Sequence, residues 1–197
     1  MKFLIDALAA LRYPKALINQ RLLPLFHPMD VAETQTVVKA GDIPDKLFLI
    51  REGMGRLYSK KQAKGSRKVP ETTRLVAGPG DWLTVPDAFV SQSPSPDQID
   101  LMGESKVFYI DYDDYRNLCL TDHAFTQAMQ KLWTGMIRKG FEREDVLKIT
   151  NPMERRIDWL ISKYGQIERY VPNRSSWASL LGISASTVKR YFAKRKL

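Results

Sequence analysis

The residues whose types and spacing suit a chemical task lie at the C-terminal end of the chain, RSSWASLLGISASTVKRYFAKRKL, residues 174–197. They read as a helix, a short turn and a second helix rich in cations. Trp177, Ala178 and Leu181 share one face of the first helix. Gly182 follows, able to take the left-handed backbone conformation that ends a helix without a Cβ penalty. Ile183 fills the corner, Ser184 suits the cap of the next helix, and Val188 and Tyr191 stand at i and i+3 facing inward. Ala178 is small where two helices cross closely, so the spacing predicts a helix-turn-helix. Its second helix turns Ala185, Ser186, Lys189, Arg190 and Lys194 outward, as a helix entering the major groove does. Arg190 and Lys189 can reach guanine edges or phosphates, Ala185 a thymine methyl, and Ser186 a base or a phosphate. Arg174, Ser175 and Ser184 complete the candidate DNA-binding set. The bland alternative is an ordinary helical hairpin at a basic end.

Charge falls where this pattern does. The 197 residues carry a net +9. Residues 1–150 hold 21 Lys/Arg and 19 Asp/Glu, a balance of +2, whereas residues 151–197 hold 10 and 3, a balance of +7. A basic excess confined to the helix-turn-helix would neutralise phosphates and release their counterions.

Other chemistries find little support. A single cysteine, Cys119, excludes an intramolecular disulfide and a cysteine-ligated iron–sulfur cluster, and its apolar neighbours read as core. His27 and His123 are the two histidines, read as surface or capping residues rather than metal or haem ligands. Asp111, Asp113 and Asp114 form an acidic group, but they precede a helical pattern, where capping and the helix dipole account for them. No nucleophile–base pair, phosphate loop or metal-ligand spacing occurs, so neither an enzyme nor a cofactor is expected.

The elements that must position the reading helix come next. From about residue 22 to 112 the chain reads as short strands between turn residues. VAETQTVV alternates, KLFLI and GRLYSKK extend, KQAKGSRKVPE is a hairpin tip, and TRLVAGPGDWLTV and IDLMGESKVFYIDY complete the set, with SQSPSPDQ a loop. This density of strands and glycine turns suggests a β-barrel or jelly roll. The N-terminal MKFLIDALAALRYPK reads as an amphipathic leading helix, because Asp6 interrupts the apolar run. Helical periodicity takes over after Asp111, with a short helix over 112–120 and a long one from Asp122 to about Ile149. Phe125, Ala128, Met129, Leu132, Met136 and Ile137 make its apolar stripe, and Trp133 beside them widens it enough to face both the barrel and a second subunit. Asn151 as cap, Pro152 at the first helical position and Glu154 restart a helix over 153–164. The expected division is 1–120 barrel with leading helix, 121–150 connecting helix and 151–197 helix-turn-helix, an α+β chain without a membrane-spanning run and expected in the cytoplasm.

This order resembles the Crp/Fnr family of bacterial transcription regulators over essentially the whole chain. GDIPDKLFLIREGMGRLY, Gly41–Tyr58, resembles that family's glycine-turn-strand segment in a cyclic-nucleotide-binding-type barrel. VPNRSSWASLLGISASTVKR resembles its helix-turn-helix. The resemblance implies a homodimer joined through the long helix, with double-stranded operator DNA and RNA polymerase as partners. It also exposes departures. The family's Gly-Glu pair for the ribose falls on Thr84-Val85, the phosphate-binding Arg falls near Asp97, and Gly103 matches the residue closing that cassette. No Arg or Lys lies between Trp82 and Glu104, and a carboxylate repels an anionic phosphate, so no cyclic AMP response is expected. Ala185 and Ser186 stand where relatives place an Arg and a Glu for base reading, so a different operator is expected, while Arg190 matches a base-contacting arginine. The apolar segment WLTVPDAF, residues 82–89, either lines a site for a small apolar effector, with Trp82 as its reporter, or fills it. The alternative function is a barrel serving as a protein-interaction scaffold with a nonspecific nucleic-acid-binding tail.

Overall fold

The computed structural model describes residues 1–60, 71–149, 152–165, 167–171 and 173–195. The leading segment forms helix α1 (Lys2–Ala10), whose Leu4 and Leu8 are fully buried. A single turn, α2 (Lys15–Leu17), and a wider turn over Ile18–Leu22 lead to the first strand. The described strands are β1 (His27–Val31), β2 (Gln35–Val38), β3 (Lys46–Glu52), β4 (Gly55–Lys60), β5 (Glu71–Ala77), β6 (Trp82–Leu83), β7 (Gln98–Leu101) and β8 (Ser105–Asp111). They form two four-stranded antiparallel sheets, ordered β1-β8-β3-β6 and β2-β7-β4-β5, a jelly roll. Val31, Phe48, Ile50, Leu57, Leu83, Leu101 and Val107 fill the space between them.

The single alternating strand expected over 31–38 is in fact the end of β1, a turn, and β2. The two strands serve different sheets, Val31 pairing with Ser105 and Gln35 with Leu101, so the chain must turn between them. The expected hairpin tip lies largely outside the described residues; its last residue, Glu71, opens β5. Within WLTVPDAF, the strand expected to run to Val85 stops at Leu83, and helix α3 (Pro86–Ser91) follows, with proline at its first turn and Phe89 buried.

The helices α4 (Tyr112–Thr121) and α5 (His123–Ile149) follow β8. Asp122 caps α5 by accepting from the Phe125 amide at 3.1 Å. It also accepts from the Tyr13 hydroxyl at 2.7 Å and from Arg21 at 3.3 Å. Burial alone would raise the Asp122 pKa, but these three bonds more than offset it and hold the carboxyl below its ordinary value. The phenol of Tyr13 is pushed up to about 12, by burial and by its bond to that carboxylate.

The stripe on α5 divides. Phe125, Ala128, Met129 and Leu132 are buried against α1 and α4, Met136 is half-buried, and Ile137 is exposed. Trp133, Met136, Ile137, Gly140 and Phe141 therefore continue an apolar seam on the open side of the helix.

Four shorter helices close the chain: α6 (Glu154–Lys163), α7 (Ile167–Tyr170), α8 (Arg174–Leu181) and α9 (Ala185–Arg195). The expected cap Asn151 lies outside the described residues, and Pro152 precedes α6 rather than opening it, its carbonyl accepting from the Arg155 amide at 3.0 Å. Among the described residues, no helix is long and apolar enough to cross a membrane.

Candidate nucleic-acid interface

The C-terminal helices build their corner as the residues require. Asn173 caps α8, its side chain accepting from the Ser175 amide at 3.0 Å. Gly182 ends the helix at φ 60° and ψ 37°, the left-handed conformation, and the Ile183 amide turns back to Ala178 O at 3.0 Å. Ser184 Oγ then accepts from the Thr187 amide at 3.1 Å, capping α9. Trp177, Ala178, Leu181, Val188 and Tyr191 close over Ile157, Leu160, Ile167 and Val171 from the preceding helices. Inside this core Trp177 Nε1 donates to Val171 O at 2.7 Å, and the Tyr191 hydroxyl donates to Asp158. Asn173 was not anticipated, although an Asn before a helical pattern is a legible cap.

The eight expected DNA-binding residues do not share one environment. Ser175, Ser186, Lys189, Arg190 and Lys194 are exposed. The last four sit on the outer face of α9. Arg190 leaves 62% of its side chain in solvent and pairs with Glu154 at 3.5 Å. Ser184 is exposed, but its hydroxyl is engaged in the cap. Ala185 is half-buried against the head core rather than turned outward. Arg174 is also half-buried: its guanidinium stacks 3.7 Å from the Phe192 ring centroid, with Glu168 at 3.9 Å.

The head is not carried on α5 alone. Arg156 Nη2 donates to Leu147 O at 2.6 Å and its Nη1 to Leu181 O at 3.1 Å, tying the last turns of α5 and α8 together. Arg143 Nε, on α5, donates to Leu180 O at 2.9 Å, and burial lowers that guanidinium's pKa. A second face of α8, Ser176, Ser179 and Leu180, lies along β5, the edge strand of its sheet. The Thr73 amide donates to Ser179 Oγ at 2.9 Å and the Tyr164 hydroxyl donates to Val76 O at 2.9 Å, so groups that an edge strand leaves open find partners in the head. Gly78 permits the approach, since a Cβ there would stand 2.9 Å from the Tyr164 ring.

The residues on which the resemblance places the nucleotide contacts have partners within the chain. Thr84 is fully buried and spends its hydroxyl on Lys46 O at 3.1 Å. Asp97 is buried and paired with Arg74 Nε at 2.9 Å. Beside them lies a groove of about 470 Å³ between barrel and α5, lined chiefly by Leu57, Leu75, Pro86, Val90, Trp133 and Met136. Trp82 does not line it; its ring meets Phe26 at 6.0 Å in the core beside α1. Trp133 is the tryptophan that faces the groove.

His27, Asp111 and Asp114 bring one ligand atom each within 4.8 Å of one another. Lys46 Nζ already stands 3.2 Å from Asp111, so a cation is supplied by the chain itself. Asp111 precedes α4 without a side-chain cap bond, contrary to the capping role expected of it, whereas Asp113 and Asp114 sit in the first turn, where they complement the dipole. His123 Nε2 lies 3.0 Å from Gln127 Nε2 on the next turn. The Cys119 thiol is half-buried, and burial raises its pKa, which disfavours a reactive thiolate.

Residues 28–122 match the cyclic nucleotide-binding domain family. No curated protein matches the chain in sequence. Solved structures match its fold at low identity. FixK2 from Bradyrhizobium japonicum superposes with a TM-score of 0.63 at 15% identity, covering 86% of this chain and 83% of its own. CLP, a c-di-GMP-responsive global regulator of Xanthomonas campestris, gives 0.63 at 14% identity, covering 92% and 91%. A Eubacterium rectale protein assigned to the crp/fnr family gives 0.66 at 14% identity, covering 92% and 82%. Residues 28–122 are thus similar to the cyclic nucleotide-binding domain family, and the chain as a whole shares the fold of these solved structures, one of them assigned to the crp/fnr family.

Proposed function

We propose that this chain is a DNA-binding transcription regulator that acts as a homodimer and does not answer to cyclic AMP. The observation that carries the reading is the outer face of α9, where Ser186, Lys189, Arg190 and Lys194 are exposed together on a helix capped and packed at its inner side. Four side chains reaching from one helix can read base edges and clamp phosphates at once. The seam of Trp133, Met136, Ile137, Gly140 and Phe141 supports pairing of two α5 helices, and two-fold pairing suits a two-fold operator. Insensitivity to cyclic AMP rests on Thr84, whose hydroxyl donates to Lys46 O, and on Asp97, a carboxylate paired through Oδ1 with Arg74. The apolar groove beside Trp133 favours a small apolar effector over an anionic one. RNA polymerase is the partner a regulator of this fold would recruit or block.

The rival is a scaffold with a nonspecific basic tail. Such a tail needs no packed corner, yet the corner here is capped at both helix starts. The purified chain, mixed with fragments of its own genome at physiological salt, separates the two. A few fragments held strongly support the regulator; uniform retention that vanishes steeply with salt supports the tail.

A further inference from the structure

Arg56, on β4, is a buried cation at the seam between barrel and head. Its Nη2 donates to Asp100 at 2.9 Å and its Nη1 to Glu71 at 3.0 Å, both within the barrel. The same Nη1 donates to Ser176 Oγ, on α8, at 2.7 Å, across 120 residues of sequence. The guanidinium lies 3.9 Å from the Tyr58 ring centroid, and Asp100 accepts further bonds from Tyr58 at 3.1 Å and Thr36 at 2.8 Å. A guanidinium held by two carboxylates and a ring has its fork fixed before the head arrives. Ser176 and the neighbouring Ser179 are short enough to let α8 lie on β5, and both are spent on the barrel rather than on solvent.

We infer that Arg56 is a positioning residue for DNA reading: through Ser176 it docks α8 on the barrel, and so sets the half-site spacing that the protein accepts. α9 is locked to α8 by the corner core, and α8 is locked to β5. In a dimer joined through α5, the distance and angle between the two reading helices then follow from the dock rather than from DNA. The spacing consequence rests on the DNA-reading proposal above; the dock itself does not. One base pair added between half-sites moves one of them by about a tenth of a helical turn, which a docked head cannot follow.

Two variants of the full chain test this from opposite sides. Arg56→Met removes the fork, and Ser176→Trp drives a ring into the space the serine hydroxyl occupies while leaving the barrel network whole. Arg56→Lys, which keeps the charge but not the fork, is the intermediate. The first readout is hydrogen exchange at the Thr73 amide, whose acceptor Ser179 is untouched by either change. Both variants are expected to lose protection over β5 and α8 while β3 and β8 keep theirs, with Arg56→Lys between them and wild type. The second readout is affinity for one retained operator and for copies with one base pair inserted or deleted at its centre. Wild type is expected to discriminate by about tenfold or more, and both variants by no more than about threefold. Unchanged Thr73 protection in Ser176→Trp would overturn the dock, and undiminished discrimination in both variants would overturn its role in spacing. Should wild type prefer no sequence at all, the DNA-reading proposal and the spacing role fall together, while the exchange result still decides whether Arg56 docks the head.

Discussion

Replacing Ile137 and Phe141 by Asp tests the dimer seam, and its effect can be worked from exposure. Ile137 leaves 61% of its surface in solvent and Phe141 66%. Full burial of such a side chain is worth about 1.5–3 kcal/mol. Roughly three-fifths of that remains to be gained on pairing, about 1–2 kcal/mol for each residue. Two residues from each of two protomers then supply about 4–8 kcal/mol, a factor of roughly 10³–10⁶ in the dimer dissociation constant. The introduced carboxylates add like-charge repulsion across the axis. Both sites are exposed in the single chain, so the protomer itself should change stability by no more than about 0.5 kcal/mol. Sedimentation velocity across a nanomolar-to-micromolar series reads the association, and thermal unfolding reads the protomer. The reasoning is refuted if the variant dissociates over the same concentrations as wild type, or if wild type is a monomer throughout.

Arg190→Ala should cost about 1–3 kcal/mol per half-site and relax preference at one base position, because opening its exposed pair with Glu154 costs at most about 1 kcal/mol. Lys194→Ala should instead weaken all duplexes alike and reduce the slope of log K against log salt by about 1; anisotropy titrations across salt separate the two. A small apolar ligand in the groove should change Trp133 emission and raise the melting temperature as its concentration passes Kd, and Leu75→Glu should abolish both; a response that survives Leu75→Glu places the ligand elsewhere. Asp122 has a folded pKa below its ordinary value, so its contribution to stability is present above about pH 4 and is lost as pH falls through the folded pKa. Thermal melts from pH 6 to pH 3 should therefore fall less steeply for Asp122→Asn than for wild type, and parallel curves would contradict this.

What could be read from the sequence follows from how local each constraint is. Gly182, Ser184, Val188 and Tyr191 were legible because a left-handed stop, a cap and an inward face are fixed within a few residues of each other. The long helix was legible from its period, but the division of its stripe was not. Met129 and Ile137 look alike in a sequence, and only the arrival of α1 and α4 at one end decides which is covered. The split of 31–38 into two strands depends on which sheet each half joins, a distant choice that alternation cannot encode. The apolar segment 82–89 reads as lining or filling an effector site with Trp82 as its reporter, yet the Trp82 ring packs on Phe26 in the core beside α1, a contact between distant segments that a local pattern cannot encode. The dock between head and barrel left no trace at all. Nothing local marks Arg56 and Ser176 as partners; the fold brings them to 2.7 Å across 120 residues.

The central claim is that two copies of α9 read one two-fold site. Hydroxyl-radical footprinting of wild type on a fragment retained from its genome tests it most directly. The account predicts two protected half-sites related by a dyad and separated by about one helical turn, 10–10.5 base pairs or a multiple, both lost together in Arg190→Ala. Continuous protection without phase, indifferent to Arg190, would contradict it.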